Sequence, residues 1–269
     1  MKRYAVMGNP IAHSKSPRIH TLFAAQSGLE IEYSAILVEP GNFANAVADF
    51  LAQGGRGLNI TVPFKQEAWA LAGRRSGRAE RAGAVNTLVL ESSGKHFGDN
   101  TDGAGLVRDL MHNHGAVLAG KRLLLVGAGG AARGVIEPLL DEKPGLLVIA
   151  NRTPEKAVAL ARSFCDLGRT EGTGLDIPDG QDFDIIINAT AASLSGDVPA
   201  LPPGVVSAGS WCYDMMYADQ PTAFMNWADK LGAYRVMDGL GMLVEQAAES
   251  FYLWHGVRPD TAPVIRALR

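Results

Sequence analysis

The sequence predicts an α/β protein of two domains, each organised around a mainly parallel β-sheet, with a cleft between the domains. Three observations lead to this prediction. The 269 residues suit two domains at roughly 150 residues each. Strand-like apolar runs alternate with amphipathic stretches, which is typical of parallel sheets covered by helices. The 31 glycines follow no period, so we expect them at turns and at close backbone approaches.

Five short runs in the first hundred residues have the pattern of strands. Pro63 closes the third run, because proline cannot continue a central ladder. The turn residues Ser92-Ser93-Gly94 predict a hairpin between the last two runs. The expected strands are Tyr4–Met7, Tyr33–Val38, Leu58–Val62, Thr87–Leu90 and Lys95–Gly98.

Two helices are expected between these strands. Pro17 favours a helix start near Ser16, because proline suits the first helical turn, and this helix would run to about Gln26. A second helix, which Gly54-Gly55 ends, carries on one face the apolar residues Phe43, Val47, Phe50 and Leu51.

A second strand–helix alternation begins after Gly120-Lys121. Its expected strands are Arg122–Val126, Leu146–Ile149, Phe183–Ile187 and Trp211–Tyr213, and its helices are Ala131–Leu140 and Pro154–Phe164. A further helix, Gly103–His112, is expected before this alternation. The Gly-, Pro- and Ser-rich stretch Leu194–Gly209 is expected to be a loop. Two helices finish the chain, with Pro259 starting the last. We expect one domain from residues 1–102 plus 238–269 and the other from residues 103–237.

Composition excludes several classes of protein. The formal net charge of −3 argues against a nucleic-acid partner, which usually needs a basic domain. No apolar run approaches the roughly 18 residues of a membrane span, and the beginning of the chain lacks a signal-peptide core. The spacings typical of zinc or calcium sites do not occur, so no metal is expected. We therefore expect a cytoplasmic protein without membrane or nucleic-acid partners.

A glycine-rich turn directly after the strand Arg122–Val126 predicts a dinucleotide site. Gly127, Ala128, Gly129, Gly130 and Ala131, with Ala132 after them, fit the pattern G-x-G-x-x-A at the start of a helix. The first glycine allows a tight turn, the second lets the backbone approach a pyrophosphate, and the helix N-terminus offers free N–H groups. A plain glycine-rich turn is the alternative. This pattern predicts a Rossmann-type domain.

The end of the next strand indicates which dinucleotide binds. NAD-binding proteins place an acid there for the ribose 2′-hydroxyl, but this strand ends in Asn151, Arg152 and Thr153. Arg152 suits a 2′-phosphate, and Lys156 adds a second cation one helical turn later. The alternatives are a solvated surface arginine and NAD as the cofactor. The sequence therefore predicts NADP rather than NAD.

Polar clusters in the first domain follow the expected strand ends, where parallel sheets bind ligands. Ser14 and Ser16 precede a helix start, and they suit either an N-cap or a carboxylate ligand. Asn59 and Thr61 alternate along one strand, with Lys65 just beyond it. Further along the chain come Asn86, in Ala84-Val85-Asn86-Thr87, and Asp102, which is alternatively the N-cap of the helix Gly103–His112.

The chain resembles the shikimate dehydrogenase family over nearly its whole length. The resemblance is carried, in order, by GNPIAHSKSP, NITVPFK, AGAVNT, GDNTDG, GAGGAARG, NRT, YDMMY and DGLGMLVEQAAESF. It implies reduction of 3-dehydroshikimate to shikimate with NADPH, and a first domain that binds the substrate. It also implies Lys65 and Asp102 as the catalytic pair. The resemblance further implies Ser14, Ser16 and Tyr217 at the substrate carboxylate, Asn59, Thr61, Asn86, Asp102 and Gln246 at the ring hydroxyls, and Thr190, Met215 and Gly239 at the nicotinamide.

Two segments depart from the family pattern. The family carries acids after the helix that follows the lysine, whereas this chain has Gly73-Arg74-Arg75-Ser76-Gly77-Arg78. An acid expected near Gly77 is absent, and the arginines would form a solvated face or attract phosphates. Alanines also stand where the family often has serine, within Asn188–Ser193. Three other functions stay open: a relative that also oxidises quinate, a weakly active paralogue and a non-catalytic NADP-binding sensor. The chain would act as a monomer or a homodimer.

Overall fold

The computed structural model describes residues 1–178 and 180–269 and contains two compact units. The N-terminal unit comprises Met1–Gly105 and Leu243–Arg269, and the central unit comprises Leu106–Met242. Both are built from strands and helices, so the α/β class predicted from the sequence is confirmed. No helix in the described ranges has the length and apolar character needed to cross a bilayer.

The N-terminal unit contains a six-stranded sheet in the order β2-β1-β3-β5-β6-β4. Neighbouring strands are parallel except around β5, which is antiparallel to both β3 and β6. The predicted hairpin is confirmed, because Val89 pairs with Phe97 across the turn at 92–94. The strands are β1 (Lys2–Gly8), β2 (Ile31–Leu37), β3 (Gly55–Ile60), β4 (Arg74–Arg75), β5 (Thr87–Val89) and β6 (Phe97–Asp99).

Each face of this sheet is covered by a different kind of core. An aliphatic and aromatic core including Phe43, Phe50 and Phe64 buries one set of side chains. A second, mainly aromatic group includes Phe23, Phe251 and Trp254. The helices of the unit are α1 (Ser16–Ser27), α2 (Phe43–Ala52), α3 (Lys65–Leu71), α4 (Gly77–Ala82) and α10 (Ala262–Leu268).

The central unit contains a six-stranded sheet, parallel throughout, in the order β12-β11-β10-β7-β8-β9. The strand order reverses between β7 and β10, and open α/β sheets bind ligands at such a switch point. The strands are β7 (Arg122–Val126), β8 (Leu146–Ala150), β9 (Thr170–Thr173), β10 (Ile185–Asn188), β11 (Trp211–Asp214) and β12 (Arg235–Met237). Three helices belong to this unit: α6 (Gly130–Asp141), α7 (Pro154–Arg162) and α8 (Ala223–Lys230).

The chain passes between the units within two helices. These are α5 (Asp102–Arg108), which continues as a π-helical turn over Asp109–Asn113, and α9 (Leu240–His255). The sequence placed the domain joints a few residues earlier, at 102–103 and 237–238.

Several expected element bounds were wrong. The third strand ends at Ile60 rather than Val62, because the Phe64 amide donates to the Thr61 carbonyl and turns the chain into α3. The last helix begins at Ala262, with a proline in its first turn, and not at Pro259. The expected loop over 194–209 contains 3₁₀ turns at Ala192–Ser195 and Pro203–Val205. The short elements β4, β9, β12, α3, α4 and α8 were not predicted, because they are too short to show a clear period.

Candidate active site

The polar clusters of the N-terminal unit converge on one edge of its sheet. Strands β1, β3 and β6 run in the same direction, so their carboxyl ends lie at that edge. The segments with Ser16, Lys65 and Asp102 each follow one of these ends. Asn86 precedes β5, whose antiparallel direction brings its beginning to the same edge. The topology therefore assembles residues that are up to 86 positions apart in the chain.

Lys65 and Asp102 form an ion pair at the centre of this edge. The Lys65 Nζ lies 2.5 Å from the Asp102 Oδ2, and the two side chains are 28% and 13% exposed. Asp102 is the first residue of α5 rather than its N-cap, so the capping alternative is wrong. The ammonium group keeps contact with solvent, and it has two further hydrogens to donate beyond the one directed at the carboxylate.

Asn86 connects this pair to α9. Its Nδ2 donates to the Asp102 Oδ1 at 2.8 Å and lies 3.3 Å from the Gln246 Oε1. Its Oδ1 accepts from the Thr101 backbone amide at 2.9 Å. Asn86 is only 2% exposed, and its hydrogen-bonding capacity is used inside the protein. It therefore fixes the carboxylate of Asp102 as much as it serves as a ligand.

Asn59 is held in a similar way from three sides. Its Oδ1 accepts from the Tyr33 hydroxyl at 2.8 Å. Its Nδ2 donates to the Ser250 Oγ at 2.9 Å and to the Thr87 Oγ1 at 3.2 Å. Thr87 also donates to the Asn86 Oδ1 at 2.9 Å, so one polar network runs from Tyr33 to Lys65.

Three predicted ligands retain free hydrogen-bonding groups. Among the described residues, the Thr61 hydroxyl has no partner, and Ser14 accepts only the Ser16 backbone amide, at 3.3 Å. Neither serine is the N-cap of α1, which is Lys15, so that alternative is also wrong. Gln246 donates through Nε2 to the Leu243 carbonyl and keeps its second amide hydrogen. These groups remain available to a polyhydroxylated acid.

Four members of the network were not predicted from the sequence. Each is buried or partly buried and makes a hydrogen bond to a predicted site residue. They are Tyr33, Thr87, Thr101 and Ser250. Thr87 directly follows the predicted ligand Asn86, and Thr101 directly follows the polar residue Asn100, so both lie in motifs quoted above. Ser250 lies four residues after Gln246, on the same helix face. Tyr33 had no such signal, because its partner Asn59 belongs to another strand.

The arginine-rich segment that departs from the family pattern is bound within the N-terminal unit. Arg78 makes a two-pronged ion pair with Asp99, with Nε–Oδ1 at 2.8 Å and Nη2–Oδ2 at 2.5 Å. Asp99 is 3% exposed on its side chain, and it also accepts from the hydroxyl of Ser76, the N-cap of α4. Burial opposes the charge of Asp99, but the Arg78 guanidinium lowers its pKa below the ordinary value. The segment therefore clamps the end of β6, just before Asp102.

The other two arginines of that segment also have partners. Arg74 pairs with Glu91 at 2.5 Å at the surface, and Arg75 pairs with Glu80 at 2.5 Å while its guanidinium stacks over Trp69 at 4.3 Å. The expectation that free arginines here attract phosphates is therefore wrong, since each is already paired with a carboxylate. A plain solvated face describes only Arg74, whose side chain is 64% exposed.

In the central unit, the glycine-rich turn has the geometry that phosphate binding requires. Gly127 adopts a φ of 115°, which only glycine tolerates readily, and its amide donates to the Ala150 carbonyl at 2.7 Å. Gly129 is the N-cap of α6, which no side chain caps, so the first amide groups of the helix remain free. Side chains at Gly129 and Gly130 would project into open space, while the buried Ala132 packs inward. A pyrophosphate can approach this backbone closely.

A pocket of about 720 Å³ opens beside this turn. Arg152 and Asn151 line it from the end of β8, and Thr190 lines it from the end of β10. Arg152 and Lys156 are exposed, and neither side chain has a partner in the described part of the chain. Arg152 at the open pocket, with Lys156 in the first turn of the helix that follows, suits an additional phosphate group. Thr153 begins α7 as its N-cap, and Ala131 lies exposed in the first turn of α6.

The residues expected at the nicotinamide follow the ends of β10, β11 and β12. The Thr190 hydroxyl donates to the Asn188 Oδ1 at 2.7 Å. Gly239 packs so closely on the Met215 carbonyl that a Cβ at this position would overlap it. Alanines 189, 191 and 192 line the pocket, while the Ser193 hydroxyl donates to the buried Asp214 at 2.6 Å. Tyr217 also belongs to this unit, and burial raises the pKa of its phenol.

Two features define the class of this protein. The central unit is a doubly wound parallel sheet with a glycine-rich turn at a helix start and an exposed arginine at the end of the next strand, which is the arrangement of a dinucleotide-binding domain. The N-terminal unit holds a lysine–aspartate pair surrounded by hydroxyl and amide groups. Together these features define a nicotinamide-dependent oxidoreductase acting on a small polar substrate.

Comparison with known proteins identifies the family. Residues 6–88 match the shikimate dehydrogenase substrate binding domain, residues 109–195 match shikimate/quinate 5-dehydrogenase, and residues 239–269 match the shikimate 5′-dehydrogenase C-terminal domain. The shikimate dehydrogenase (NADP⁺) of Alkalilimnicola ehrlichii is 59% identical over 99% of this chain and 98% of its own length. The chain therefore belongs to the shikimate dehydrogenase family.

Solved structures agree with this assignment. An Ael1 enzyme from Pseudomonas putida is 48% identical, with a TM-score of 0.95 over all of this chain and 98% of its own. The shikimate 5-dehydrogenase of Thermus thermophilus, solved in complex with NADP(H) and shikimate, is 33% identical with a TM-score of 0.87. The match covers 99% of this chain and 98% of the Thermus thermophilus chain.

Proposed function

We propose that this protein catalyses the reversible, NADP-dependent reduction of 3-dehydroshikimate to shikimate. The observation that carries the proposal is the Lys65–Asp102 ion pair at 2.5 Å, within a network of groups suited to a hydroxylated ring. Members of the family at 56% to 59% identity are named shikimate dehydrogenase (NADP⁺). The same pair would be of no use to a protein that only senses the cofactor.

Lys65 carries the proton transfer. Reduction of a ketone delivers hydride to the carbonyl carbon, and a proton must reach the oxygen to form the hydroxyl group. The Lys65 ammonium, still 28% exposed, donates that proton, and in the oxidation direction the neutral Lys65 amine accepts the proton of the substrate hydroxyl. Asp102 holds the ammonium in place through Oδ2, while Asn86 holds the carboxylate through Oδ1. Asp102 also accepts a hydrogen bond from a substrate hydroxyl, because a carboxylate has lone pairs beyond these two contacts.

The remaining ligands divide according to substrate chemistry. Ser14 and Ser16 donate to the substrate carboxylate, and Tyr217 is a further proposed ligand of that group. Asn59, Thr61, Asn86 and Gln246 orient the ring hydroxyls. Groups that are held by the protein before the substrate arrives lose little entropy on binding. The networks around Asn59 and Asn86 provide this preorganisation.

The residues of the central unit fit NADP. The free amides of Gly129, Gly130 and Ala131 at the beginning of α6 hold the pyrophosphate, with Gly127 and Ala128 shaping the turn. Arg152 and Lys156 bind the 2′-phosphate, and Asn151 and Thr153 complete that end of the pocket. Thr190, Met215 and Gly239 contact the nicotinamide side. When bound, NADP supplies or accepts the hydride.

The functional division follows from these roles. The N-terminal unit, Met1–Gly105 and Leu243–Arg269, is the substrate-binding and catalytic domain, and the central unit, Leu106–Met242, is the NADP domain. The protein acts in the cytoplasm on small molecules, as a monomer or homodimer, without a nucleic-acid or membrane partner.

A steady-state assay tests the proposal. Purified protein is mixed with shikimate and NADP⁺, and the absorbance of the reduced cofactor is followed, with quinate and NAD⁺ in parallel reactions. Turnover is expected with shikimate and NADP⁺. Lys65→Ala should lower kcat by about 10²- to 10⁴-fold, the usual contribution of general acid–base catalysis, with a smaller change in KM. The exposed Lys95→Ala serves as the matched control and should retain wild-type kcat. Absence of turnover in folded wild-type protein would refute the proposal.

A further inference from the structure

Tyr33 contacts Asn59, a proposed substrate ligand, but belongs to none of the motifs described above. It is the third residue of β2 and pairs with Tyr4 of β1 in the sheet register. Its hydroxyl donates to the Asn59 Oδ1 at 2.8 Å. Burial raises the pKa of this phenol well above its ordinary value, and hydrogen bonding by the Ser16 hydroxyl offsets part of the effect. This phenol therefore joins β2 to the Asn59 side chain of β3.

The orientation of the Asn59 amide depends on this contact. The Ser250 Oγ donates to the Gln246 carbonyl at 3.1 Å, so Ser250 accepts the hydrogen bond from the Asn59 Nδ2. The Asn59 oxygen then faces Tyr33, whose hydroxyl hydrogen occupies one of its two lone pairs. Both amide hydrogens are already directed at Ser250 and Thr87. Only the second lone pair of the oxygen is left for a ligand, and it can only accept a hydrogen bond.

The ring of Tyr33 is held independently of its hydroxyl. The His20 imidazole stacks on it with centroids 4.2 Å apart and an interplanar angle of 6°. Trp254 lies against the same group, with centroids 6.4 Å from Tyr33 and 5.3 Å from His20. Removal of the hydroxyl oxygen alone therefore leaves the packing of the ring in place.

We propose that Tyr33 is a positioning residue for substrate binding, whose hydroxyl fixes the Asn59 carboxamide with its oxygen available to accept from a substrate hydroxyl. This inference rests on the proposed function, because it takes Asn59 as a ligand of shikimate. Tyr33 itself acts only through Asn59.

The test is the variant Tyr33→Phe, with Tyr4→Phe as the matched control. Tyr4 is the direct strand partner of Tyr33 and is 2% exposed, and its hydroxyl has no side-chain partner among the described residues. Loss of one buried hydrogen bond should weaken shikimate binding about 5- to 10-fold in Tyr33→Phe, measured as Kd by calorimetry and as KM. The KM for NADP⁺ should not change, and kcat should change less than about 3-fold. Tyr4→Phe should leave all of these values at the wild-type level.

A double-mutant cycle with Asn59→Ala identifies the route of the effect. If Tyr33 acts through Asn59, Tyr33→Phe should weaken binding less than about 2-fold in the Asn59→Ala background. Wild-type-like binding by Tyr33→Phe, an equal loss in Tyr4→Phe, or an undiminished effect in that background would overturn the inference while leaving the proposed function in place. Wild-type protein that neither binds nor oxidises shikimate would overturn both. Urea unfolding of each variant confirms that the measured proteins are folded.

Discussion

His20 should make the protein less stable as the pH falls below neutrality. Its side chain is completely buried in α1, among Phe23, Tyr33 and Trp254. Neither ring nitrogen makes a hydrogen bond of ordinary geometry to any described residue. Burial lowers the pKa of His20 from 6.5 to about 3; the neighbouring Asn59 favours the charged form only partly, and His255 disfavours it. The folded protein therefore keeps this imidazole neutral where the unfolded chain would protonate it.

The size of the effect follows from the two pKa values. Because the folded pKa lies below the unfolded one, the unfolded state binds more protons between them, and stability falls as the pH drops below 6.5. From pH 7.5 to pH 5, a shift from 6.5 to about 3 costs about 2 kcal/mol of unfolding free energy. The loss would continue to grow until the pH reaches the folded value.

Urea unfolding at pH 7.5 and pH 5 measures this change in unfolding free energy, in wild-type protein and in the variant His20→Leu. The variant removes the titrating group, so its loss of stability between the two pH values should be smaller than that of wild type by about 2 kcal/mol. Taking the difference cancels the contributions of other histidines, including His255, whose pKa burial lowers to about 4. Equal losses in the two proteins would show that His20 is not held neutral in the folded state.

Three further outcomes are expected. Arg78→Met should lower the unfolding free energy by about 3–5 kcal/mol, because it leaves the buried Asp99 carboxylate without its cation. Arg74→Met, at an exposed ion pair, should cost under about 1 kcal/mol. Similar losses for the two variants in urea unfolding would contradict the difference expected between a buried and an exposed pair. Arg152→Gln should raise KM for NADP⁺ at least about 10-fold and leave KM for NAD⁺ unchanged, since the arginine meets only the 2′-phosphate. The exposed Arg162→Gln is its control, and a parallel rise for both cofactors would argue against that role. Gly239→Ala should cost about 1–3 kcal/mol through overlap with a backbone carbonyl, and an unchanged midpoint in thermal unfolding would refute the close packing.

The resemblance to the shikimate dehydrogenase family, recognised from the motifs, is confirmed by the comparisons. The roles of the individual site residues remain predictions. The structure does show why some of them were recognisable, because Lys65, Asn86 and Asp102 each lie in a short polar motif at a strand end. Tyr33 and Ser250 were not recognisable in this way, because their relation to Asn59 arises from pairing between strands and from the placement of α9.

The arginine-rich segment illustrates the limit of sequence reasoning most directly. The charges of Arg74, Arg75 and Arg78 are evident in the sequence, but their carboxylate partners Glu91, Glu80, Asp99 and Glu249 lie 5 to 171 positions away. The sequence alone was compatible both with a solvated face and with a phosphate-binding site in this segment. Only the folded chain shows that Arg78 clamps the strand that leads to Asp102, because an ion pair depends on distance in space and on burial.

The sequence by itself determined the alternation of strands and helices, the phosphate-binding turn and the absence of an acid at the end of β8. These are local properties, set by periodicity, by the backbone freedom of Gly127 and by the charge of Arg152. The tertiary structure alone decided the strand order, the networks that hold Asn59 and Asn86, and the neutral state of His20. Those properties depend on which side chains become neighbours and which of them lose contact with water when the two sheets form. The separation of residues along the chain specifies neither the neighbours nor the burial.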